Sequence, residues 1–139
     1  DCLYVYPVID GIVTAVLDGC IVGNTSEKCA LGNYIEITKT LQENPVEDET
    51  AYYRVNYYFL REGILVSANE SVINKSSVAY QPSTLGGSIT MGRKIAKLGN
   101  TGKSKGQHLH LEIIRGVQKE GKIVEHVLNP KNIIQPFAF

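Results

Sequence analysis

The sequence predicts a mostly β protein, a single domain built around an antiparallel sheet. Short runs in which apolar and polar residues alternate recur along the chain. In Tyr34-Ile35-Glu36-Ile37-Thr38 the two isoleucines point one way and the other three residues the other, as in a sheet with one wet face. Turn pairs such as Asp10-Gly11 and Asp18-Gly19 punctuate these runs and leave little room for a long amphipathic helix. A chain of 139 residues is long enough for one real core and too short to favour a second domain.

Taken in order, Leu3 to Val8 reads as a first strand that ends at Asp10-Gly11, and Ile12 to Leu17 as the next. Cys20 to Cys29 encloses a largely polar segment, followed by the Tyr34 to Thr38 strand. Residues 41–50 carry four acids and a proline without periodicity, which predicts an exposed loop. Ala51 to Leu60 is rich in tyrosine and β-branched residues. It reads as a half-buried strand or as a platform for stacking a substrate, and both hold if the tyrosines floor a groove. Gly63 to Val66 is a further strand candidate. Residues 67–87 are rich in Ser, Asn and Gly and read as an inserted loop around the strand-like fragment Ser77 to Gln81. Glycines punctuate the run Ile95 to Leu98, His108 to Ile114 follows as a strand, Lys119 to Lys122 as a turn, and the partly aliphatic tail Val124 to Phe139 closes the sheet, with Asn129-Pro130 marking a bend.

Composition narrows the function classes. With 14 basic and 14 acidic side chains the formal net charge is zero, so no global field draws the chain to nucleic acid or acidic lipid. No apolar stretch approaches the roughly 20 residues that cross a bilayer, so no membrane segment is expected in this chain. The abrupt start Asp1-Cys2-Leu3 already looks like a strand and reads as a fragment or a processed chain. Cys20 and Cys29 are either a disulfide stapling a hairpin loop, in an oxidising compartment, or two thiols near a turn. Cys2 is left over. Asn24, Asn69 and Asn74 begin Asn-x-Ser/Thr patterns, which matter only in a eukaryotic secretory context.

The chemistry concentrates late in the chain. Gly99, Gly102 and Gly106 lead into "GQHLHLEI", where His108, His110 and Glu112 are alternate residues and share one face of a strand. Two imidazoles about 7 Å apart along a rigid backbone can take different jobs, one donating a nitrogen to zinc and the other exchanging a proton with bound water or substrate. Glu112 is placed either as a partner of His110 or as a solvent-facing strand residue. His126, the third histidine, reads as a surface residue.

The segment Ile89 to Ile113, "ITMGRKIAKLGNTGKSKGQHLHLEI", resembles the M23 family of zinc metallopeptidases, the lysostaphin or LytM type. Asp10-Gly11-Ile12-Val13, Gly32 to Ile37 and Val127-Leu128-Asn129-Pro130 add weaker similarity in the family's order, so the resemblance covers most of residues 1–139. It implies a barrel-sandwich-like single domain of the LytM type, with zinc in a groove and peptidoglycan cross-link peptides as substrate. It carries His110 onto the last metal-ligand position and His108 onto an acid/base position.

Two departures qualify that implication. No histidine precedes His108, whereas the family draws a His and an Asp from an upstream motif. Asp1 stands for that Asp only if its histidine lies before the chain begins, or if a second chain completes the site. The family's central Y-x-H-L is here "VNYYFL" at Val55 to Leu60, which puts Phe59 where a histidine is expected; a one-residue bulge brings Tyr58 there instead. A tyrosine hydroxyl, with a reference pKa of about 10, donates a hydrogen bond to an oxyanion but is a poor base at neutral pH. The resemblance therefore implies an extracytoplasmic domain of the bacterial cell envelope, periplasmic or secreted. It is either non-catalytic and working through an envelope protein partner, or a zinc endopeptidase acting on a peptidoglycan peptide.

Overall fold

Val13, Ile35, Ile37, Val55, Tyr57 and Ile113 are all buried, and within the long strands they fall on alternate positions. That alternation turns one sheet face inward. The computed structural model describes residues 3–72 and 93–129. Its elements are β1 (Tyr4–Val5), β2 (Gly11–Leu17), β3 (Asn33–Asn44), β4 (Glu49–Leu60), β5 (Ser71–Val72), β6 (Ala96–Lys97), β7 (His110–Lys119) and β8 (Lys122–Leu128).

Six strands form one antiparallel sheet in the order β5-β2-β3-β4-β7-β8, and β1 pairs with β6 in a separate two-stranded ribbon. Val5, Ile95 and Ala96 from the ribbon and its approach join the sheet residues in a single core. Tyr57 ties the two layers with a polar bond, its hydroxyl accepting from Val8 N at 2.9 Å. The opposite face of the sheet carries Tyr34, Glu36, Asn56, Tyr58, His110 and Glu112.

The mostly β, antiparallel expectation agrees with this architecture, but the barrel-sandwich-like fold of the LytM type does not. Among the described residues neither sheet closes: β5 and β8 are opposite edges of the large sheet and do not pair with each other. Closure requires first and last strands to hydrogen-bond at a consistent stagger. Here one edge is, among the described residues, a two-residue strand that pairs with Gly11 and Ile12.

Three local expectations also change. Residues 41–50 are a loop only at 45–48: β3 and β4 extend into the segment from either side as a hairpin, pairing Gln42 with Ala51, Glu43 with Thr50 and Asn44 with Glu49. Both faces are wet there, so composition mimics a loop while the backbone remains in register. Gly63 to Val66 forms no strand; Asp18 claims its amides instead, with Oδ1 accepting from Gly63 N and Oδ2 from Ile64 N. Strand β7 begins at His110, so His108 belongs to the preceding loop.

Cys20 and Cys29 are joined in a disulfide, with Cα atoms 5.9 Å apart. Asp1, Cys2, Asn74, the fragment Ser77 to Gln81 with most of the inserted loop, and the tail 130–139 lie outside the described residues.

Candidate functional site

The site begins with an irregularity at the end of β4. Asn33 pairs with Leu60 and Ile35 with Tyr57, so Tyr58 and Phe59 together oppose the single residue Tyr34. This is a β-bulge, with two residues against one. Phe59 takes φ of 61°, a left-handed conformation strained for a bulky side chain, and its amide donates to Leu31 O at 3.0 Å. The bulge sends both rings to the histidine side. Phe59 lies 5.3 Å from the His108 ring and 5.9 Å from the His110 ring, while Tyr58 lies 5.7 Å from His110, its cross-strand partner. Strand alternation alone would have placed only one of the two aromatic residues there.

His108 is set by its own loop. Its Nδ1 lies 2.7 Å from Gly106 O, a carbonyl that can only accept, so Nδ1 carries the proton and Nε2 presents a lone pair in the neutral ring. Ser104 Oγ also donates to that carbonyl and stands 3.2 Å from Nδ1. The loop is held in turn by Gly106 N donating to Asn100 Oδ1, and by His108 N donating to Gly99 O.

Below the loop the backbones pass too close for side chains. A Cβ on Gly102 would stand 2.4 Å from Gly32 N, and one on Gly32 2.3 Å from Thr101 Oγ1; both glycines have positive φ. Thr101 and Asn33 are buried at this crossing. Thr101 Oγ1 accepts from Asn33 N and donates to Leu60 O, while the Asn33 side chain accepts from Cys20 N and donates to Cys20 O and Leu60 O. One polar knot thus fixes the disulfide loop, the bulged end of β4 and the histidine loop relative to one another.

Glu112 does share the face of His110, but it serves Tyr58. Its Oε1 accepts from Tyr58 Oη at 3.3 Å and from Asn56 Nδ2 at 3.2 Å. Burial of the phenol, together with this carboxylate, pushes Tyr58 up to about 12, so at neutral pH it is a hydrogen-bond donor. Farther along the face Arg54 reaches Glu125 at 2.7 Å and Glu36 at 3.5 Å, and Tyr52 donates to Glu125.

His108, His110 and Tyr58, three of the residues singled out by the sequence, are therefore brought together, and Asp1 lies outside the described residues. His126 stands opposite Arg115 on β8, on the other face from Glu125, and does not join them. Among the described residues no three side chains of His, Cys, Asp or Glu converge as a metal site. Asn33, Thr101, Ser104 and the Gly106 carbonyl were not singled out by the sequence; only the spacing of the glycines around them hinted at a close crossing.

A groove of about 460 Å³ opens next to the histidine loop, between the disulfide loop at Cys20 to Val22, the chain after β4 at Arg61 and Glu62, and the segment Leu98 to Thr101 with Gln107. Compared with known protein families, curated proteins and solved structures, the chain gives no match.

Proposed function

We propose that this chain is a non-catalytic domain related to the M23 peptidases, working in the bacterial cell envelope by binding a peptide or an extended segment of a partner protein. The packing of both histidines against Phe59 carries the reading. The imidazoles meet an aromatic ring and a tyrosine whose hydroxyl is committed to Glu112, where a working zinc site needs three converging protein ligands. Among the described residues the donor set does not fit zinc, since no three such side chains converge. What remains is a recognition surface: aromatic faces to cover a peptide unit, and a His108 Nε2 lone pair to accept a peptide N–H. The disulfide supports an oxidising, extracytoplasmic location.

The alternative is a zinc endopeptidase completed by Asp1 and residues before it or by a second chain. The observation in its favour is the 2.7 Å contact of His108 Nδ1 with Gly106 O, which leaves Nε2 as the ring nitrogen not engaged by the loop. Elemental analysis coupled to a peptidoglycan cleavage assay separates the two. The proposal expects neither stoichiometric zinc nor hydrolysis, with peptide binding weakened by His108→Ala while the fold is kept. Tight zinc, together with cleavage abolished by His108→Ala and His110→Ala in folded protein, would overturn it.

A further inference from the structure

We infer that the groove beside the histidine loop is a side-chain subsite for an extended peptide carrying an aliphatic residue followed by a basic one. This inference rests on the peptide-binding function proposed above. The groove, at about 460 Å³, is large enough to accept side chains as well as backbone. Ile21 and Val22 line it yet are 60% and 65% exposed, and Leu98 lines it with them. Aliphatic walls of this kind gain by covering an aliphatic side chain.

The charge on the lining sets the second residue. Arg61 and Glu62 both line the groove; Arg61 is already engaged in the fold, whereas the Glu62 carboxylate has no hydrogen-bond or ion-pair partner among the described residues. A cationic side chain emerging beside the buried aliphatic one meets that charge. The direction of the peptide follows from continuity: Gln107 lines the groove and donates from Nε2 to Leu98 O, and the next residue is His108. A peptide leaving the groove past Gln107 therefore meets the histidine loop at His108.

The walls are built before any ligand arrives. The disulfide and the Asn33 side chain hold Cys20 by its sulfur, its amide and its carbonyl. On the other side Arg61 N donates to Lys97 O at 3.0 Å. A site braced in this way does not spend binding energy on ordering its own loops.

The test is a nitrogen-15 amide titration of the whole chain with acetyl-Ala-Leu-Lys-Ala-amide and with the matching peptide bearing Gln in place of Lys. The amides of Val22, Glu62 and Gln107 should shift together with that of His108. Val22→Asp should weaken the lysine peptide by about tenfold or more. Glu62→Gln should erase the preference for the lysine peptide over the glutamine one. Both positions are exposed, and the amide spectrum of each variant reports whether it folds; Ile21→Ser is the substitute should Val22→Asp fail. Binding that shifts only His108, His110 and Tyr58, unchanged by Val22→Asp or Ile21→Ser, overturns the subsite and leaves peptide recognition standing. No shift with either peptide overturns both.

Discussion

Phe59 carries a backbone conformation that a bulky L-residue adopts at a cost of roughly 1–3 kcal/mol. Its return is a ring wedged between two imidazoles, at 5.3 and 5.9 Å. Phe59→Leu keeps the strain and removes the ring. The ring-proton resonances of both His108 and His110 should then move toward unstructured values, with a loss of about 1–3 kcal/mol in urea unfolding. Movement of only one histidine would show that the wedge is not shared. The two histidines were legible from residue type and spacing alone. The placement of Phe59 was not, because a bulge is defined by counting residues against the partner strand, and β3 supplies that count from more than twenty residues upstream.

Between elements, the carboxylate of Asp18 does the work that the sequence assigned to a simple turn. It accepts from Gly19 N, Gly63 N and Ile64 N, clamping the end of β2 to the chain that follows β4. Burial acts to raise its pKa, but the three backbone donors outweigh burial and hold it below the ordinary carboxylate range. The ionised form is favoured in the fold, so its contribution is fully present above about pH 4 and is lost as pH falls through the lowered folded value. Asp18→Asn should cost about 1 kcal/mol at neutral pH, the modest end because the residue is exposed, and should flatten the acid limb of the stability profile. Equilibrium unfolding followed from pH 2 to 7 checks both. The inward-facing strands were readable because burial imposes alternation. The outer halves of β3 and β4 were hidden because a strand wet on both faces has no alternation to show, and the clamp on Gly63 and Ile64 is set by Asp18, 45 and 46 residues earlier in the chain, just past the end of β2.

At the scale of the molecule, the described residues rest on one core between a six-stranded sheet and a small ribbon, stapled by a disulfide of sequence separation 9. Replacing Cys20 and Cys29 together with serine should lower stability by about 2–3 kcal/mol, the loop-closure entropy of so short a loop. Scanning calorimetry should register a fall in Tm of roughly 6–12 °C. The fold should survive, since Asn33 grips Cys20 through the backbone on both sides. A variant that melts with the unaltered protein would show that the loop is already ordered without its bridge. The antiparallel sheet was legible in the chain, whereas the failure of its described edges β5 and β8 to pair was not: closure depends on the pairing of edge strands, which no local pattern records. The Asn33–Thr101 knot also bears on how the protein comes to have a site at all. Strands β2, β3 and β4 follow one another in sequence and can assemble from near neighbours, but the hydroxyl that locks the end of β4 arrives 68 residues after the asparagine it meets. Long-range closures of this kind are paid for late. During synthesis the meander therefore stands first as a bare scaffold, and the histidine face matures in one step, when the final third of the chain docks.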